Sequence, residues 1–525
     1  MLVTKLLRGS TILGLNKLIR KTSNYKRSLV VTNPSDNSLR DIITDFAKKN
    51  SKTKSDFGEL RKELLLNKKS LTEINVDYFI ISVLSSTNDL HLVENYIEYL
   101  KNNDLEVKTP VLGCLLKLYN NYYECGKLTA DKHVNILNIY KEILEKYDNL
   151  DASTCENLIF GLVCTSDWKK SLELLQITKL SAKPSNNVYS LIISKAFENA
   201  TDNELGWTLL HEMVNEYKKQ PNCKIFISIL KSIQNEADYT KQIETLNRLL
   251  SFIGEHDIVI SKLVTNELTK TLDSMNLKNS QTQISFNGKC ENCNLFLERV
   301  FISNDEFKLM RNTFLDRAII HKDVFLKTNP KELENFLKYI DKHAPFHCVV
   351  DGLNVAYSIN GKLSPVAVCS VVKYFKDLNM NILLIGRKHM TRWPNEHFGY
   401  IKKNCKMFLT DNLSQDDPFL LYAALKSGPS THIFSKDLMR SHSYLLGDNL
   451  KLIFKRWLQE HLYSLIKVKK NGKILVKEPC KFNINAHKVE ETWHLPFTEN
   501  YQANPKDSYE VPQNWLCIKL PNLNK

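Results

Sequence analysis

The chain has 525 residues, enough for several domains, and its 43% apolar content is that of a folded protein. Its formal net charge of +14 favours polyanionic partners, either nucleic acid or an acidic membrane surface. No run approaches the ~20 apolar residues that a membrane-spanning helix needs, and most of the twelve cysteines are scattered singly, which suits a reducing compartment better than a disulfide framework.

The N-terminus reads MLVTKLLRGSTILGLNKLIRKTSNYKRSLVVTNPSD. Lys5, Arg8, Lys17, Arg20, Lys21, Lys26 and Arg27 precede the first acid, Asp36. A basic, Ser/Thr-containing, acid-poor and amphipathic stretch is the pattern of a mitochondrial presequence, here over residues 1–35; a basic RNA-binding arm has the same composition. Residues 36–72 read as an N-terminal helical extension.

Residues 73–280 read as an all-helical array. Proline and glycine are sparse in most of it, and apolar residues recur at helical spacing. The segments NVDYFIISVL (75–84), KTPVLGCLLKLY (108–119), ASTCENLIFGL (152–162), PSNNVYSLIISKA (184–196) and PNCKIFISILKSI (221–233) begin alike. Second helices follow, such as DWKKSLELLQITKL (167–180) and NELGWTLLHEMVNEY (203–217). A period of roughly 35 with two helices per unit marks an α-solenoid. The pattern resembles pentatricopeptide repeats, which present a concave face to RNA; a scaffold that binds protein would have the same periodicity.

The period changes over residues 341–461. FHCVVDGLNVAY carries a short apolar strand, 347–350, ending at Asp351. NILLIG (381–386), CKMFLTD (405–411) and THIFSKD (431–437) are further strands, and helices over 366–379 and 417–428 separate them. This alternation predicts a parallel sheet covered on both faces, with active groups at the carboxyl ends of its strands. Asp351, Asp416, Asp417 and Asp437 then converge at one rim. Each alone also reads as a cap or a turn: Asp417-Pro418 as a helix start, Asp351-Gly352 as a strand exit, Asp437 as a cap for the residues after it. Together they concentrate negative charge that only cations offset, and all-oxygen donors favour Mg²⁺ or Mn²⁺. Two such ions clamp a phosphodiester. Asn354, Arg387, Lys388, His389, Arg392, Arg440 and His442 fall near the same strand ends and are candidate substrate contacts.

VVDGLNVAY, GRKHM, SQDDPFLLYAAL and FSKDLMRSH resemble the metallonuclease domain of the protein-only ribonuclease P family. The resemblance covers about 73–520 and is strongest over 346–460. It implies a Rossmann-like domain of the NYN/PIN type behind pentatricopeptide-like repeats, and an α plus α/β chain overall. It implies an endoribonuclease of the mitochondrial matrix that removes the 5′ leader of precursor tRNA, leaving a 5′-phosphate and a 3′-hydroxyl. The other readings are a non-catalytic pentatricopeptide RNA-binding protein and a PIN-type nuclease acting on another RNA. The family's metal-site aspartates fall on Asp351, Asp416, Asp417 and Asp437, holding two Mg²⁺ or Mn²⁺ ions. The acid that precedes the pair in related sequences is Gln415 here. Animal mitochondrial members work with a tRNA methyltransferase subunit and a short-chain dehydrogenase subunit, so the same partners are implied.

KCENCNLF supplies Cys290-x-x-Cys293, half of a zinc site. The C-terminal segment offers His494, Cys517, His487 and Cys480 for the other half. The family joins a Cys-x-x-Cys before the nuclease to a His and a Cys after it on one structural Zn²⁺, which implies Cys290, Cys293, His494 and Cys517. Residues 281–340 and 462–525 then form one split zinc-binding central domain.

Overall fold

A computed structural model describes residues 34–48, 54–67, 71–320, 330–359, 361–411, 416–437, 448–469, 471–499 and 511–521. The presequence reading of 1–35 therefore lies almost wholly outside the described residues. Among those residues no helix is long and apolar enough to cross a membrane. The chain divides into two compact units, Met1–Asn222 and Cys223–Lys525.

The first unit is helical throughout its described part. Two helices, α1 (Pro34–Lys48) and α2 (Lys54–Asn67), precede the array. Four helical hairpins follow: α3 (Val76–Ser86) with α4 (Leu90–Asn102), α5 (Thr109–Glu124) with α6 (Ala130–Lys146), α7 (Ala152–Leu162) with α8 (Lys170–Ser181), and α9 (Asn186–Ala196) with α10 (Asn203–Asn215). Local chemistry sets several starts. Asp89, Asp151 and Ser185 accept the N–H groups of Leu92, Thr154 and Val188, closing helix ends that would otherwise expose bare donors. The first helix of each hairpin packs on the first helix of the next, α3 on α5, α5 on α7 and α7 on α9. Such stacking builds a solenoid, as the repeat spacing predicts. Gly113 permits the α5–α7 approach, because a Cβ there would lie 2.4 Å from Asn157 Nδ2.

The second unit opens with α11 (Cys223–Asn235), α12 (Tyr239–Glu255), strand β1 (Ile260–Ser261), α13 (Lys262–Ser274) and β2 (Asn279–Thr282). These helices continue the apolar period of the array but pack within the second unit. Their sheet is completed from the far end of the chain by β9 (His487–Val489), β10 (Thr492–Thr498) and β11 (Asn514–Lys519). The strand order is β1-β10-β11-β2, with β9 also paired to β10. Trp493 Nε1 donates to Asn247 Oδ1 at 3.2 Å, fixing β10 to α12.

Between these halves lies the parallel sheet: β3 (Cys348–Asp351), β4 (Ile382–Arg387), β5 (Lys406–Thr410), β6 (His432–Phe434), β7 (Leu462–Val468) and β8 (Ile474–Lys477). Its order is β5-β4-β3-β6-β7-β8, parallel except for the edge pair β7–β8. The first three predicted strands stand within a residue or two of the observed ones, whereas β6 ends at Phe434, three residues short of the predicted end at Asp437. Alternate residues feed two cores, as strand geometry requires. Val349, Leu383, Ile385 and Ile433 face α14 (Asn304–Ile320), α15 (Pro330–His343), α19 (Asp416–Ser427) and α20 (Asp448–His461). Cys348, Val350, Ile382, Leu384 and Phe434 face α16 (Gly352–Tyr357), α17 (Pro365–Asp377) and α18 (Asn395–Asn404). In α19, Phe419 through Leu425 are all buried, so this helix is core on every side.

Gly254 sits where α12 meets the strand leading into β9: a Cβ there would lie 2.5 Å from the carbonyl oxygen of Ala486, a backbone atom that cannot rotate aside. Gly254→Ala is expected to lower stability by about 1–3 kcal/mol despite alanine's better helix propensity. Chemical denaturation of the two proteins checks the sign.

Candidate active site and metal centre

The parallel sheet has one topological switch point. From β3 the chain moves outward to β4 and β5, then returns to lay β6 on the other side of β3. A crevice at the carboxyl ends of β3 and β6 is the expected ligand site of such a sheet. Asp351 ends β3, and Asp437 lies three residues beyond the end of β6. Both therefore stand at that crevice.

Asp351 is 5% exposed and Asp437 is exposed. Asp351 Oδ1 accepts the N–H of Asn354 at 2.9 Å, capping the short helix α16. Asp351 Oδ2 accepts the Ser435 hydroxyl at 3.1 Å. The N–H of Asp437 in turn donates to that Ser435 Oγ at 3.0 Å, and the N–H of Lys436 donates to Asn354 Oδ1 at 2.7 Å. Two hydrogen bonds, Ser435 to Asp351 and Lys436 to Asn354, thus clasp the two strand exits across the switch point, and the other two brace each exit locally. Asn354 is half-buried, and its amide oxygen belongs to this clasp.

Asp416 and Asp417 are the first two residues of α19, so the helix starts two residues earlier than the Pro418 start expected from an Asp417 N-cap. The helix packs on β3 and β6, so its start lies on the carboxyl side of the sheet. The side chains of both aspartates lie outside what the structure describes, as does Gln415.

The GRKHM segment forms a 3₁₀ turn, Lys388–Arg392, directly after β4. Arg387 closes the strand and is paired with Thr410 of β5. Lys388 forms an ion pair with Asp411, whose hydrogen bond and charge raise the ammonium above its ordinary pKa. The N–H of Asp411 also donates to Glu332, a buried acid of α15. Arg392 is exposed and His389 half-buried on the same turn. Arg440 and His442 lie outside the described residues. Ser435, Asp411 and Glu332 are not among the residues that the sequence pattern singles out. A hydroxyl two residues before an aspartate at a strand end is the available signal for Ser435.

A second cluster lies in the other sheet. Ligand atoms of Cys290, Cys293, His494 and Cys517 lie within 4.8 Å of one another. His494 on β10 and Cys517 on β11 are directly opposite in antiparallel register, and β2 continues that row at Ser280. The turn after β2 delivers the two cysteines of the Cys-x-x-Cys. His494 Nε2 stands 3.2 Å from Cys293 Sγ. Cys290 and His494 are fully buried and Cys517 is 3% exposed. Burial alone would raise the Cys290 thiol, but the N–H groups of Cys293 and Asn292 hold it below its ordinary pKa. Burial pushes Cys517 up to about 12 and His494 down to about 4, the latter aided by His487. A neutral imidazole beside three thiols is a donor set for one borderline-soft divalent ion, with thiol protons released as it binds.

The rivals are spoken for elsewhere. His487 lies opposite His494, but its Nε2 accepts the N–H of Glu298 at 3.3 Å and its Nδ1 bonds the Asn485 carbonyl at 2.8 Å. Cys480 Sγ contacts the Phe482 carbonyl at 3.5 Å and is not in the cluster.

The family model described as protein-only RNase P matches residues 284–517. The chain is 28% identical over 394 residues to the mitochondrial ribonuclease P catalytic subunit of Rattus norvegicus, covering 73% of this chain and 66% of that protein's length. It is 26% identical over 251 residues to proteinaceous RNase P 1, chloroplastic/mitochondrial, of Arabidopsis thaliana, covering 46% and 41%. Among solved structures, Arabidopsis thaliana nuclear protein-only RNase P 2 superposes with a TM-score of 0.58 at 15% identity, over 85% of this chain and 99% of that one. At that identity the last match speaks for the fold alone.

The Cys/His cluster makes a direct demand. Cys293→Ser is expected to leave the purified chain without its tightly held divalent ion and to cost about 4–5 kcal/mol or more. Because the thiols must lose protons to bind, the wild-type chain should release the ion as pH falls and keep it as pH rises. Elemental analysis after dialysis at a series of pH values, alongside melting curves, checks both.

Proposed function

We propose, from the premise that residues 284–517 belong to the protein-only RNase P family, that this chain is a mitochondrial, metal-dependent endoribonuclease that removes the 5′ leader of precursor tRNA. The observation that carries the reading is the placing of Asp351 and Asp437 at the switch point of a parallel sheet inside the family match. In this reading Asp416 and Asp417, opening α19, complete the set of carboxylates.

The donors at the rim are hard oxygens, which suits Mg²⁺ or Mn²⁺. The described geometry fits such ions: the Asp351 carboxylate ends β3 at the carboxyl side of the sheet, each of its oxygens accepts a hydrogen bond that orients it, and a carboxylate oxygen can take more than one partner. When bound, two such ions would lower the pKa of the attacking water and stabilise the leaving oxygen. The chain's own task is positional. The clasp through Ser435 and Asn354 holds Asp351 and Asp437 in a fixed relation. No side-chain nucleophile is needed, and one aspartate is placed to accept a proton. Arg387, Lys388, His389, Arg392, Arg440 and His442 are the proposed contacts to substrate phosphates, with the helical array holding the folded part of the RNA.

The Cys290, Cys293, His494 and Cys517 cluster is proposed to hold one structural Zn²⁺, the ion that suits three thiolates and an imidazole with no open position. The presequence-like N-terminus and the relatives' names together favour the mitochondrial matrix. A tRNA methyltransferase subunit and a short-chain dehydrogenase subunit are the proposed partners, on family resemblance.

Asp351→Asn and Asp416→Ala should each lower cleavage of a precursor tRNA by on the order of 10³-fold, about 4 kcal/mol, while precursor affinity stays within about threefold. The assay is 5′-leader release by the full chain, with and without Mg²⁺ and with the two partners added. Leader release that is indifferent to Mg²⁺, or full activity in both variants, would overturn the assignment. RNA binding without any product would leave only an RNA-binding protein.

A further inference from the structure

We propose that Ser435 is a positioning residue of the rim: its hydroxyl sets the orientation of Asp351 relative to Asp437 and so tunes the affinity of the site for divalent ions. This rests on the reading of the rim as a metal site.

Ser435 is 1% exposed and lies between the end of β6 and Asp437. Its N–H donates to the carbonyl of Tyr463 on β7 at 3.0 Å, so its backbone is held by the next strand. Its hydroxyl donates to Asp351 Oδ2 at 3.1 Å and accepts the N–H of Asp437 at 3.0 Å. One atom thus touches both halves of the crevice. The residue type follows from the geometry. Only a hydroxyl both donates and accepts from a single small atom; alanine does neither, and a cysteine thiol of similar volume donates weakly. The hydrogen bond holds the carboxylate of Asp351 in one rotation about its terminal torsion, which is otherwise broad. It also fixes the backbone from which Asp437 projects. Losing the hydroxyl would leave a nearly buried carboxylate oxygen and an adjacent N–H without this partner, with the two acids free to turn apart under their mutual repulsion. The expected loss therefore falls on the metal and not on the RNA. Substitution of groups that orient metal ligands typically weakens metal affinity by about 10–100-fold.

The test uses the full chain as wild type, Ser435→Ala, Ser435→Cys, Ser435→Thr and, as a control for the parent reading, Asp351→Asn. Three quantities are read: the Mg²⁺ concentration for half-maximal leader cleavage, Mn²⁺ affinity from the free-ion paramagnetic resonance signal, and precursor tRNA affinity. For Ser435→Ala we expect half-maximal Mg²⁺ to rise by about tenfold or more, Mn²⁺ affinity to fall in parallel and RNA affinity to stay within about twofold. Most of the rate should return at high Mg²⁺. Threonine keeps the hydroxyl and should restore the wild-type Mg²⁺ requirement to within about threefold. If alanine lowers the melting temperature, the near-isosteric cysteine variant carries the comparison and should show the same shift. An unchanged Mg²⁺ requirement in the alanine and cysteine variants, or a rate loss equal at every Mg²⁺ concentration, overturns the proposal while Asp351→Asn remains inactive. Wild-type cleavage by Asp351→Asn would instead overturn the metal-site reading itself.

Discussion

Three thiols and one imidazole meet in the second unit across its own insertion. Cys290 and Cys293 precede the parallel sheet in sequence; His494 and Cys517 follow it. His494 and Cys517 stand on β10 and β11, and the outer strands that pair beside these are short. Strand β2 has four residues and β1 has two. Strands of that length supply few ladder hydrogen bonds and little buried area, so pairing alone is a weak fastening. Ligation of one ion would act where pairing is weakest, joining the turn after β2 to the facing pair on β10 and β11. His494 shows what the fold commits to this. It is fully buried, and its Nδ1 has no hydrogen-bond partner. A buried polar atom in that state costs roughly 1–3 kcal/mol, which a bond at Nε2 to an ion would offset.

Once the two ends of the insertion are fixed, the parallel sheet can carry a rim that would otherwise oppose its own folding. Carboxylates at one crevice repel, and Asp351 is nearly out of water. The sheet meets this locally in two ways. The clasp from Ser435 and Asn354 gives the Asp351 carboxylate two donors. At the β5 exit the opposite strategy operates. There Lys388 neutralises Asp411, whose own N–H is occupied by Glu332 from α15. One acid is met by hydrogen-bond donors and the other by a cation.

Much of this was legible in the sequence because burial on two faces leaves a plain signature. CVVD and ILLIG are continuous apolar runs, as strands of a covered parallel sheet must be, and each leads directly into a polar or basic strand exit. The Cys-x-x-Cys was equally plain. What stayed hidden depends on contacts that no period encodes. Helix α11 carries the same apolar repeat as α9, yet it packs in the second unit; periodicity reports that a face is buried and not what buries it. His487 and His494 lie opposite each other on neighbouring strands. Only the hydrogen bonds that occupy both nitrogens of His487 separate the ligand from its neighbour. Ser435 was invisible for a related reason. A serine before an acid is common at strand ends, and its significance arises from Asp351, a residue on a different strand.

The placement of charge also bears on how a polyanion could approach. The chain as a whole is strongly basic, with a formal net charge of +14, and long-range attraction follows from that sum and weakens with salt. At the crevice acids gather instead, with Asp351 and Asp437 standing at the exits of β3 and β6. Of the basic turn after β4, Lys388 is committed to Asp411, so it offsets a neighbour before it offsets a substrate. The general basic charge can therefore draw RNA to the protein, but it cannot by itself hold a phosphate against the rim. That last step needs positive charge inside the crevice itself, and divalent ions are the species that all-oxygen donors are built to hold. On the proposed reading, attraction and catalysis are then separable properties of this chain. Monovalent salt acts on the first through screening, while divalent ions act on the second by occupancy.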